Sequence, residues 1–154
     1  MTITPKTDYC FRSVAIERTA PLDFADVHLA RIPPFTTDDP SWWATRIFGT
    51  ATMPAWVTAL LGIRQAVVGL VGIEREKEDV FDVREVVGRE ALICKQARHL
   101  DFRVGVAVTD RVLRVTTAVS LHGWRGRLYW SVTRLFHGLV TESMIRRAVR
   151  LASL

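Results

Sequence analysis

The stretch Arg98–Thr133, RHLDFRVGVAVTDRVLRVTTAVSLHGWRGRLYWSVT, decides the fold. Leu100, Phe102, Val104, Val106 and Val108 occupy alternate positions. Leu113, Val115, Thr117, Val119 and Leu121 repeat the pattern after a Thr109-Asp110 turn. Leu128, Trp130 and Val132 take it up again after His122-Gly123-Trp124-Arg125-Gly126. A period of two over successive segments predicts three antiparallel strands, each burying one face. The intervening positions carry His99, Asp101 and Arg103, then Arg114, Thr116, Ser120 and His122, then Arg127 and Tyr129. Small residues share that second face (Gly105, Ala107, Ala118, Ser120), leaving room for either the last helix or a ligand.

Beyond this stretch the period lengthens. Phe136, Val140, Met144, Ala148 and Leu151 fall on one face of an amphipathic closing helix. Before it, Phe81–Val87 and Ala91–Gln96 predict a hairpin about Gly88-Arg89. A charged turn, Glu74–Asp79, precedes the hairpin. Further back, Pro54 opens a helix with Trp56, Leu60, Ile63, Val67 and Leu70 on one face. Asp39-Pro40 supplies the capping acceptor and first-turn proline of another helix, which Gly49 closes. Phe24–Ile32, with Phe24, Val27, Leu29 and Ile32 in imperfect alternation, reads as a strand ended by Pro33-Pro34. Residues 1–22 read as an N-terminal arm or edge strand, and residues 23–154 as one domain. The predicted fold is α+β: a curved antiparallel sheet of about six strands wrapped around a long C-terminal helix, with two helices inserted after the first strand.

Composition narrows the class. Of 154 residues, 49% are hydrophobic and 24% charged, which suits a globular core and argues against disorder. The net charge of +5 is uneven: between Arg111 and Leu154 there are eight arginines against one acid, Glu142. Such a half can meet nucleic acid or an anionic membrane, but a solvated basic surface is the simpler reading. The tryptophans are scattered, forming no stacking platform for single strands, so nucleic acid is not expected as a partner. Cys10 and Cys94 are too few for a disulfide scaffold and match no zinc spacing, so no metal is expected. The apolar segment Pro54–Ile73 is interrupted by Arg64 and Gln65, and no membrane span is expected. MTITPKTDYC lacks a signal-peptide pattern, and a cytoplasmic location follows as the expectation.

Catalytic candidates are His99, Asp101 and His137, and ligand-binding candidates are Arg103, Arg127 and Tyr129. His99, Asp101 and Arg103 are two residues apart on a strand, so they share a face. Asp101 can orient the histidine for proton transfer, while arginine suits a carboxylate or phosphate. Set against this, alternation makes the Leu100–Val108 face the better core face. The polar residues then become a solvated surface tied by weak ion pairs. His28 and His122 are weaker candidates.

The element order resembles the helix-grip fold of birch-pollen-allergen-like proteins, START domains and polyketide cyclases, in which a ligand cavity lies between sheet and last helix. The strings Pro54-Ala-Trp56, Leu60-Leu-Gly-Ile-Arg64, His99-Leu-Asp-Phe-Arg103, Thr116-Thr-Ala-Val119, Gly126-Arg-Leu-Tyr129 and Phe136-His137 resemble the domain-of-unknown-function family 2867. That resemblance runs from about Phe24 to Ala148. It implies a partner type rather than a reaction, since members stand alone or joined to a nucleotide-binding reductase domain. Gln65 departs from the asparagine common there, and no G-x-G-x-x-G is present, so no cofactor is expected. The expected function is binding of a small, partly apolar ligand, acidic in one version, between sheet and C-terminal helix. The alternatives are an acid–base enzyme of cyclase or dehydratase type and an accessory domain docking a reductase or a second copy.

Overall fold

A computed structural model describes residues 12–49, 53–70 and 82–154. Cys10, the Glu74–Asp79 turn and Phe81 lie outside the described residues, as do the side chains of Val67 and Leu70. The elements in order are α1 (Val14–Glu17), β1 (Phe24–Arg31), α2 (Pro40–Phe48), α3 (Ala55–Leu70), β2 (Val83–Val87), β3 (Glu90–Gln96), β4 (Leu100–Thr109), β5 (Val112–Leu121) and α4 (Gly123–Ala152). The five strands form one antiparallel sheet in the order β1-β5-β4-β3-β2.

The two hairpin turns follow local chemistry. Gly88 (φ +60°) occupies the first of two loop positions between β2 and β3, as a tight hairpin requires. Asp110 and Arg111 both adopt positive φ between β4 and β5, which twists the turn with the strands. Asp39 caps α2, its side chain accepting from Ser41 N at 2.9 Å with Pro40 in the first turn. The carbonyl of Pro54 accepts from Val57 N and Thr58 N and so opens α3.

The sheet has five strands, not about six. The segment holding Leu128, Trp130 and Val132 is the start of α4, so Arg127 and Tyr129 are helical residues as well. Three apolar residues at every second position fit both structures: on a helix Trp130 turns inward and is buried. Leu128 and Val132, four apart, share an outer stripe and are more than half exposed. His137 consequently lies mid-helix.

One face of the sheet is packed by helices. Val104, Val106, Val108, Leu113 and Val115 meet Trp43 and Ile47 of α2 and Met144, Ile145 and Ala148 of α4. Trp43, fully buried, also donates its indole N–H to Thr37 O at 2.8 Å. Gly126 lets α4 press on the start of β4, for a Cβ there would sit 2.0 Å from the His99 carbonyl oxygen.

The opposite face is covered by the N-terminal arm. The described residues before β1 hold α1 as one helical turn and pair with no strand of the sheet. Ala15 packs against Leu92 and Ala118. The buried Glu90 carboxylate accepts from Ser13 Oγ (2.6 Å), Val14 N (3.0 Å) and Ala15 N (3.5 Å), with Arg114 3.4 Å away. Its carboxylate stands where a Gly105 Cβ would be, 1.7 Å from Oε1. The small residues on this face thus make room for the arm and for Glu90. Glu90→Ala is expected to cost about 1–3 kcal/mol by orphaning these donors. Urea unfolding would measure the loss, and limited proteolysis would show earlier cleavage around Ser13.

Candidate functional site

The helix-packed side of the sheet is solid at one end and hollow at the other. At the hollow end, between α3, the first half of α4 and the sheet, lies a cavity of about 650 Å³. Its floor is Leu100, Phe102 and Val104 of β4 with Thr117 and Val119 of β5. Leu60 and Leu61 of α3 face Trp130, Phe136 and Val140 of α4 across it. Ile63, Leu128 and Val132 also line it yet are 62%, 52% and 56% exposed, so they mark its open side. A cavity of this volume and apolar lining suits a small organic ligand.

Polar side chains interrupt the lining: Arg125 and Thr133 of α4, and two clusters. At one, Arg64 Nε of α3 donates to the Tyr129 hydroxyl of α4, with the guanidinium 5.2 Å from the ring centroid. The same ring packs edge-on against His99, centroids 5.2 Å apart. The other group centres on His137, which lines the cavity with Thr117 and Thr141. Behind His137, on β1, stands Asp26: its Oδ2 lies 3.2 Å from Nε2 of both His28 and His137. The approach of His28 is a hydrogen bond; that of His137 is close but out of line, an electrostatic pairing. Asp26 Oδ1 is buried without a hydrogen-bond partner. Edge-on contacts with Phe24 and a tilted one with Trp130 hold the His137 ring.

These placements sort the sequence candidates. Tyr129 and His137 line the cavity, and His99 is buried against Tyr129. Asp101 and Arg103 point to the other side of the sheet, where Asp101 Oδ2 is 3.3 Å from His122 Nε2 and Arg103 donates to Thr19 Oγ1 at 3.4 Å. Arg127 is exposed on α4 and lines no part of the cavity. The shared face proposed for His99, Asp101 and Arg103 therefore does not form the cavity wall; the apolar face does.

Asp26, Arg64, Thr117 and Thr141 were not expected. For Asp26 a signal existed. On β1 the inward residues are Phe24, Asp26, His28 and Ala30, whereas the apolar Val27 and Leu29 are 40% and 66% exposed. The imperfect alternation of Phe24, Val27, Leu29 and Ile32 mixes inward and outward positions and so picked out neither face of β1. A strand that turns an aspartate and a histidine inward and its aliphatics outward breaks the ordinary rule, as functional positions do. Among the described residues no His/Cys/Asp/Glu group can hold a metal ion, and no helix is long and apolar enough to cross a membrane.

Burial pushes the Asp26 carboxyl up, but His137 and His28 beside it outweigh that, and its pKa lies below the usual carboxylate value. A carboxylate depressed in the folded state adds stability above its unfolded pKa of about 4 and loses it as pH falls through that range. Asp26→Asn is therefore expected to flatten the acid limb of stability. Urea midpoints between pH 6 and pH 3 should fall less in the variant than in the wild type.

A family model described as "Protein of unknown function (DUF2867)" matches residues 18–144. No curated protein and no solved structure matches the chain.

Proposed function

This chain belongs to the DUF2867 family, and from that premise we propose that it binds an elongated, largely apolar small molecule bearing an acidic or carbonyl head. The observation that carries this reading is the cavity of about 650 Å³ between α3, α4 and the sheet. Its volume lies within the range of small-molecule sites, and its lining is mostly apolar with a few polar side chains, the usual division between affinity and orientation. Tyr129 and His137 are eight residues apart on α4, about 12 Å along the axis. A ligand of that length reaches from one polar group to the other. An acidic head meets Arg64 and Tyr129, where a guanidinium and a phenol provide charge-assisted hydrogen bonding; a carbonyl head meets the His137 group, with the hydroxyls of Thr117 and Thr141 beside it. The strand order, with β1 beside β5 and α4 crossing the sheet, supports a helix-grip arrangement.

A second reading is an accessory domain for a reductase or a second copy. It draws on the exposed apolar residues Trp124, Leu135 and Leu139 of α4, which continue the row of Leu128 and Val132 at the open side of the cavity.

Native mass spectrometry of the purified protein, beside its denatured mass, separates the two. The ligand reading expects a co-purifying mass that leaves on denaturation, or, for emptied protein, saturable binding of the apolar anion 8-anilinonaphthalene-1-sulfonate. Val140→Trp fills the cavity and is expected to weaken that binding at least tenfold with little change in melting temperature. Unchanged binding in Val140→Trp would count against the site, and an apo dimer would favour the second reading.

A further inference from the structure

Asp26 and His28 occupy inward positions of β1 where alternation elsewhere in the sheet places apolar side chains. The pair lies against His137, the histidine that lines the cavity. In register, Asp26 is opposite Thr117, so the β5 hydroxyl is its neighbour on the same face. Thr141 follows His137 by one turn and shares its face of α4. Both hydroxyls line the cavity and both residues are buried. One wall therefore gathers an imidazole and two threonines that line an apolar space, with a carboxylate behind the imidazole.

We propose that His137 is a catalytic acid–base residue, with Asp26 as its positioning residue, and that the cavity enolises an apolar carbonyl compound. This rests on the ligand-binding reading above and adds a reaction to it. His137 turns Nε2 toward Asp26, which leaves Nδ1 as the ring nitrogen away from the carboxylate. Nδ1 is the atom that takes the proton. The C–H bond next to the ligand carbonyl breaks, its proton passes to Nδ1, and its electron pair forms a C=C bond as the C=O π pair moves to oxygen. The oxygen accepts hydrogen bonds from the hydroxyls of Thr117 and Thr141. The imidazolium so formed faces the Asp26 carboxylate, which stabilises it where water is scarce. Return of a proton from Nδ1 to the same carbon restores the ketone. Return to a conjugated carbon shifts a double bond. No oxidant, reductant or metal is consumed in either case. His28 holds the other side of Asp26 Oδ2 and keeps the carboxylate in place.

The test uses 2-tetralone, an apolar ketone with acidic α-protons, in D2O. Binding is read by quenching of tryptophan fluorescence, since Trp130 lines the cavity. Reaction is read in the same sample by loss of the α-proton NMR signal. The wild type is expected to exchange these protons at least ~100-fold faster than matched buffer, the lower range for acid–base catalysis. His137→Gln should return the rate close to buffer with binding retained. Asp26→Asn should slow exchange about tenfold without weakening binding, and Asp26→Glu should recover part of the loss, which a merely structural role would not produce. Binding with exchange at the buffer rate in the wild type overturns the proposal and leaves the ligand reading intact. Full exchange in a folded His137→Gln also overturns it. Failure to bind tetralone and the naphthalene sulfonate alike overturns the ligand reading itself.

Discussion

A helix about 10–12 Å across cannot cover five strands spaced about 4.8 Å apart. That mismatch governs this molecule. Where β4 and β5 carry Val106, Val108, Leu113 and Val115, the missing width is supplied by α2, and Trp43 and Ile47 fill the gap beside α4. Further along the same strands, α3 takes the place of α2 and encloses space instead of filling it. The cavity is thus a product of which helix accompanies α4 over each end of the sheet. Well-packed interiors hold few voids larger than a water molecule; here a space of about 650 Å³ opens beside the packed end of the sheet.

The sheet has a second face to cover, and the solution there is different. A single helical turn is too short to be stable alone, yet α1 holds because Glu90 accepts from the donors at its start. A negative charge at a helix N-terminus is favourable, and Arg114 offsets its burial. The arm thereby occupies the side on which polar residues had drawn attention. Arg103 and Asp101 are spent on Thr19 and His122. The open cavity, with its two polar clusters, is left to the other side.

How much of this was legible from the residues depended on distance along the chain. The β4–β5 hairpin, the Gly88 turn and the Asp39 cap are local, and alternation or turn chemistry reveals them. The start of α4 was misread because Leu128, Trp130 and Val132 satisfy a period of two by chance, and the outward stripe of a helix that leaves apolar residues exposed imitates a strand. The family resemblance, carried by short strings, agreed with the family match. The candidate site was half legible: His137 and Tyr129 could be singled out as capable side chains. Their partners Asp26 and Arg64 are 111 and 65 residues away, and only the folded chain brings them together. No periodicity records such a pairing. The inverted parity of β1 was the one local trace of it.

The close fit of Glu90 over Gly105 ties two distant positions to the arm. A side chain at 105 would overlap the carboxylate, at 1.7 Å from Oε1. Shortening residue 90 would strip α1 of its acceptors. A substitution at either position therefore reaches the arm: a side chain at 105 displaces the carboxylate, and a shorter residue at 90 removes it. The arm, the glycine and the glutamate form one physical unit, although they lie on three separate segments of the chain.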